Sequence, residues 1–144
     1  MRLTRFTDYS LRVLIYLGKN PESRVTIHQI SEAYDISKNH LMKVVSNLTR
    51  LQFVVARRGP GGGIQLNRSP EEISLREVIR NTEKHLEQPA VSTAGEPTPD
   101  TRLSGYLQQA LQAYLDALGR FTLADVLEPQ AEDSQLLELN DKAA

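Results

Sequence analysis

Lys38, Asn39 and His40 stand side by side, and Lys43 follows about one helical turn later. Further on, Arg57 and Arg58 open the run "RRGPGGG". The chemistry these residues offer is fixed positive charge and hydrogen bonding, not bond-making. Lysine and arginine neutralise phosphate, while asparagine and histidine present donors and acceptors that match base edges. No nucleophile–base pair and no carboxylate dyad is apparent, so an enzyme is not expected. The chain has no cysteine, which excludes disulfides, thiol catalysis and thiolate metal sites together. Its histidines, His28, His40 and His85, form no His-rich metal motif.

The elements around these residues follow from apolar spacing. Phe6, Tyr9, Val13, Leu14 and Leu17 recur at helical intervals, so 5–18 is expected to be an amphipathic helix capped by Thr4 or Thr7 and ended by Gly18, Asn20 and Pro21. Thr26 precedes Gln29 by three residues, a capping box, and a short helix is expected to follow with Ile27, Ile30 and Ala33 inward. "YDISKNH" breaks it, and Ser37 can cap the next helix, 38–50, whose apolar stripe is Leu41, Val44, Val45 and Leu48. Two short helices joined by a tight turn, the second one polar and basic, describe a helix-turn-helix. In that motif the start of the second helix reaches base edges in the major groove.

"FVVAR" and "GIQL" then flank the Gly/Pro run, which predicts a β-hairpin placed as a wing. Ser37, Lys38, Asn39, His40, Lys43, Arg57, Arg58, Gly59, Pro60 and Gly61 are the candidate DNA-contacting residues. Gly59, Gly61, Gly62 and Gly63 allow positive φ and close backbone approach. A nucleotide phosphate loop is the other use of such glycines, but the Gly-Lys-Ser/Thr ending is missing and a strand follows instead of a helix.

Charge is divided along the chain. Residues 1–68 hold 11 Lys/Arg against 4 Asp/Glu, a balance of +7, and residues 69–144 hold 6 against 14, a balance of −8. The basic half suits a polyanion. In the acidic half, Ser74 and Glu77 form a second capping-box pattern ahead of a helix 75–86, with Leu75, Val78, Ile79 and Leu86 inward. "PAVSTAGEPTPDT" has no periodicity and is expected to be a loop. From Arg102 to about Gly119 runs the strongest helix, with Leu103, Leu107, Ala110, Leu111, Tyr114, Leu115 and Leu118 as a wide apolar stripe. A second copy of the chain could cover it, or it could fold back on its own domain. A short helix capped at Thr122 follows, then an acidic tail.

The expected fold class is mainly α with a small β-hairpin: a winged helix-turn-helix plus a long dimerisation helix. The expected organisation is a DNA-binding domain over 1–87, a loop over 88–101, the dimerisation helix and a short C-terminal helix over 102–127, and an acidic, flexible tail over 128–144. The N-terminus is too polar for a signal peptide and no apolar run could span a bilayer, so a cytoplasmic location is expected, with no membrane partner.

"LTRFTDYSLRVLIYL", "LMKVVSNLTRLQFV", "RRGPGGG" and "RFTLADVL" together resemble the Rrf2 family of bacterial winged-helix regulators, within it most like the NsrR-type nitric-oxide-responsive repressors. The resemblance runs to about Leu127. It implies a homodimeric repressor on a palindromic operator, with helix 38–50 in the major groove and the wing at the minor groove. It also implies an iron–sulfur cluster held by three cysteines and an acidic residue from the partner subunit. Aligned on "TRLSGYL", the cysteine positions fall at Ala90, Gly95 and Thr101, and the acidic one at Asp8. None of the three is cysteine, so no cofactor is expected, whether the loss is natural or the cysteines were removed by engineering. Asp8 then reads as an acidic residue in a helix's first turn. The regulatory signal would act through the loop 88–101, with a small-molecule effector near the dimer helix left open. The alternative to DNA binding is a winged-helix protein–protein interaction module, whose basic half would attract an acidic partner.

Overall fold

The computed structural model describes residues 2–84, 86 and 99–129. Helix α1, Arg5–Lys19, packs on three other helices and on the second strand of the hairpin. Thr4 caps it, its hydroxyl accepting the Thr7 N–H at 3.3 Å, while Thr7 itself is buried inside the helix. Helix α2, Ile27–Tyr34, begins with the expected box: Thr26 accepts from the Gln29 N–H, and the Gln29 side chain accepts from the Thr26 N–H at 2.8 Å. Ile30 is buried, but Ala33 is exposed, against expectation. The helix is only two turns long; Ile30 is sealed in the core, where the helix packs on the one that follows it, and Tyr34 meets α1, leaving Ala33 about 100° round the axis from Tyr34. The Tyr34 ring sits edge-on to Tyr16 of α1 at 6.1 Å.

Asp35 ends α2 in the left-handed region (φ 52°), a conformation a short polar side chain tolerates, and three residues later α3, Lys38–Arg50, begins. Leu41, Val44, Val45 and Leu48 are buried as expected. Beyond α3, the antiparallel strands β1 (Val54–Arg57) and β2 (Gly63–Leu66) pair in the register Val54↔Leu66 to Arg57↔Gly63. A bridge between Val25 and Ile64, with backbone bonds of 3.0 and 2.7 Å, adds a third contact to the hairpin that no local pattern announced.

Helix α4 spans Leu75–Thr82, shorter than the expected 75–86. Glu83 leaves the helix in an extended conformation, and its carboxylate accepts from the Thr4 N–H at 2.7 Å and the Thr4 hydroxyl at 3.0 Å, tying the end of α4 to the start of α1. The expected Ser74–Glu77 box is also absent. Glu77 takes a two-pronged ion pair from Arg68 (3.1 and 3.0 Å), and a forked charged pair outcompetes one backbone N–H. Backbone pairing with the α5–α6 connection holds this end of α4 instead: Leu75 N–H donates to Phe121 C=O, and Leu123 N–H to Ile73 C=O.

Helix α5 is Pro99–Leu118, starting three residues before the expected Arg102, so Thr101 lies in its first turn. Leu115 is buried on the chain's own α4 side, where Arg76 pairs with Asp116 at 2.9 Å. Burial, then the Glu83 carboxylate, raise the Tyr114 phenol above its ordinary value, so it stays neutral. Helix α6, Leu123–Leu127, closes the described fold with the Thr122–Asp125 capping box and packs on α1. The core is aliphatic, with Val13, Leu14, Leu17, Ile30, Leu41, Leu48, Ile73, Val78 and Leu123 sealed around one aromatic ring, Phe53.

Candidate nucleic-acid interface

The side of α3 turned away from its buried stripe carries Asn39, Met42, Lys43, Ser46 and Arg50, spaced i, i+3, i+4, i+7 and i+11, with Asn47 at its edge. Apart from Asn47, which is half-buried, these residues are exposed. Lys38 and His40 flank the start of this face and are exposed as well. Ser37 is engaged in capping: its hydroxyl accepts the His40 N–H at 3.3 Å. The His40 ring lies 6.1 Å from that of Tyr9, which connects α1 to the start of α3. Asn47 Oδ1 accepts from Arg50 Nη2 at 2.8 Å, so the Asn47 amide has its NH2 left to donate outward. Met42, Ser46 and Arg50 were absent from the residues singled out in the sequence. Their signal was there, as the i+3, i+7 and i+11 positions from Asn39.

The wing supplies the second part. Arg57 ends β1, and Arg58, Gly59, Pro60 and Gly61 follow, all exposed. Gly59 and Gly61 have positive φ, 91° and 70°. Gly62 is required for a different reason: a Cβ there would lie 2.5 Å from the Arg57 carbonyl oxygen and 2.7 Å from that of Gly59. Both obstacles are backbone, so they cannot swing away. Arg24 donates to the Gly61 carbonyl at 2.9 Å and steadies the turn. Gly62→Ala should therefore distort the wing turn by strain of about 1–3 kcal/mol and lower DNA affinity by about tenfold. Melting curves would show a folded core, and a gel shift would read the loss; unchanged affinity would remove the wing from the interface.

Several cations cluster on this surface. Arg12, Arg68 and Arg76 are paired with Asp8, Glu77 and Asp116. Among the described residues, Lys38, Lys43, Arg50, Arg57 and Arg58 form no ion pair with a carboxylate. A surface of uncompensated cations beside hydrogen-bonding side chains attracts phosphate.

Asp8 lies in the first turn of α1, where its carboxylate accepts from Arg12 Nε at 3.0 Å. Thr101 stands in α5, while Ala90 and Gly95 lie outside the described residues, as do residues 130–144 of the acidic tail. On α5, Leu103, Leu107 and Ala110 are exposed, Leu111, Tyr114 and Leu118 half-buried, and Leu115 buried. Among the described residues no helix is long and apolar enough to cross a membrane, and no three His, Asp or Glu side chains are placed to hold a metal ion.

Comparison with known proteins gives this geometry a context. Residues 3–129 match the model of the Rrf2 family, described as iron-dependent transcriptional regulators. The chain is 44% identical over 142 residues to the HTH-type transcriptional regulator NsrR of Bacillus licheniformis, covering 95% of this chain and 99% of that one. It is 42% identical over 146 residues to NsrR of Bacillus subtilis, covering 98% and 100%. Among solved structures it superposes on CymR, the global cysteine regulator of B. subtilis, with a TM-score of 0.73 at 24% identity, over 88% of this chain and 96% of that one. Staphylococcus aureus CymR, in its oxidized form, gives 0.70 at 27% identity over 90% and 98%. The iron in the family's description meets a poor donor set here: no thiolate exists in the chain, and Asp8 is engaged by Arg12. The residues present do not fit an iron–sulfur cluster.

Proposed function

Because this chain belongs to the Rrf2 family of transcriptional regulators, we propose that it represses transcription as a homodimer on a palindromic operator, without an iron–sulfur cluster. It is a DNA-binding regulator with a winged-helix fold. The organisation we assign is a DNA-binding domain over 1–87 joined by the region 88–101 to a dimerisation helix and short final helix over 102–127. Such a regulator works in the cytoplasm, where its DNA is, and needs no catalytic step. Asn39 and His40 serve base edges, Lys38 and Lys43 serve bases or phosphates, and Arg57 and Arg58 hold the wing to the backbone. The observation that carries this reading is the outward face of α3, polar and basic and, among the described residues, uncompensated by carboxylates.

The test is a gel-shift series on fragments of the chain's own genome. With Lys38, Lys43, Arg50, Arg57 and Arg58 from both protomers on phosphate, the slope of log K against log salt would approach about −9. Arg58→Ala should weaken binding evenly across sequences and flatten that slope by about 2 for the dimer. An iron chelator should leave affinity unchanged, since no thiolate donor is present to hold a cluster. Salt-insensitive binding would sink the DNA reading, and affinity lost on chelation would sink the cluster-free one.

A further inference from the structure

We propose that Met42 reads the methyl group of a thymine in the major groove, making it a base-discriminating residue of this interface. The inference rests on the DNA-binding reading above and deepens it. Met42 is 56% exposed and sits in the middle of the outward face of α3, between Asn39 and Ser46 and beside Lys43. The other large apolar side chains exposed among the described residues lie elsewhere: Val55 on the wing, Leu103, Tyr106 and Leu107 on α5, and Phe121 and Val126 around α6. On α3, Met42 is an apolar island in a polar and basic surface.

What would cover it is set by its neighbours. Lys38, Lys43 and Arg50 make the surroundings of Met42 cationic and unpaired among the described residues, which fits a polyanion better than an apolar protein face. In the major groove, base edges present donors and acceptors, with one apolar exception: the C5-methyl of thymine. A thioether pressed against any other base edge would desolvate a polar atom without bonding it. Placed on a thymine methyl, it buries apolar surface on both sides.

Position agrees with this. Met42 lies about 6 Å along the axis from Lys38, inside the N-terminal half of α3, the part of a recognition helix that approaches bases. Arg50, about 12 Å further along from Met42, is tethered to Asn47 and is placed for a phosphate. Methionine's three rotatable bonds let it meet a methyl group whose exact position varies with local DNA shape.

The experiment first selects an operator from genomic fragments with the full-length protein. Each thymine in a half-site is then replaced by deoxyuridine, which pairs identically and lacks only the methyl. The wild-type protein should lose about fourfold in affinity at one position, the effect of one buried methyl group. Met42→Ala, which removes the contact in both protomers, should bind the thymine operator about 16-fold more weakly and be indifferent to uracil at that position. Alanine at an exposed helical site keeps the fold, which melting curves would verify. Met42→Gln, able to bond adenine, should move the preference at that base pair from thymine to adenine. Wild-type indifference to every substitution, or full uracil sensitivity retained by Met42→Ala, would overturn the proposal while leaving DNA binding intact. Failure to bind any fragment would overturn the DNA reading itself and this inference with it.

Discussion

Replacing Leu103 and Leu107 together by glutamate should yield a monomer of 16.2 kDa that has lost at least about 100-fold in operator affinity. The two leucines are 52% and 50% exposed, and Tyr106 between them is 67% exposed. The same helix is buried at Leu115 and bound to α4 through Asp116. Its last turns are thus anchored to the chain's own domain, and its first turns present bare apolar surface. Covering a large apolar side chain is worth about 1.5–3 kcal/mol, and a two-fold pairing counts each contact twice. Glutamates there would face each other across the axis, without a partner. Because the substituted positions are exposed, the monomer should melt close to the unmodified protein. Affinity falls because a dimer binds its second half-site intramolecularly, at an effective concentration a monomer lacks. Sedimentation and a gel shift on one sample read both effects. A variant that remained dimeric would place the interface elsewhere.

Phe53→Ala should cost about 3–5 kcal/mol of folding stability, within the range for truncating a sealed aromatic ring. Small domains hold only about 5–15 kcal/mol in total, so melting should fall by roughly 10–20 °C. Phe53 is fully buried between the end of α3 and the start of β1. Its N–H donates to Leu48 C=O at 3.0 Å, and its C=O accepts from the Asn67 N–H at 2.9 Å. The Arg68 guanidinium stands 4.5 Å above its ring. The residue therefore joins α3, the hairpin and the segment leading to α4; alanine keeps the two backbone bonds, so the expected loosening of hairpin and core comes from the lost ring and its packing. Phe53→Leu, which refills most of the volume, should cost less than about 1.5 kcal/mol. Urea unfolding of both variants gives the comparison; an Ala variant no worse than the Leu one would contradict this placement.

The elements that hold the candidate interface are legible in the sequence. Helix 38–50 has a cap at Ser37 and a four-residue apolar stripe, and the hairpin has β-branched strands around glycines. These signals act within roughly a dozen residues, the range at which dihedral preference, capping and apolar periodicity operate. Ala33 was misplaced because a two-turn helix has too few apolar positions to fix its rotation. The end of α4 was misplaced because Glu83 is claimed by Thr4, 79 residues away. Ser74 and Glu77 match a capping box in sequence, yet Arg68 takes the carboxylate. Met42, Ser46 and Arg50 belong to the interface through the helix face they share with Asn39, not through a common residue type.

The sequence by itself determined the fold class, the two helices and wing, the basic half, and the absence of any thiolate, since each depends on residue type or short spacing. Tertiary structure alone decided which cations stay uncompensated, where Val25 joins the wing, and which part of the long apolar helix is left bare. Those outcomes depend on partners distant in the chain, and competition among them is settled by burial and geometry that no local pattern encodes.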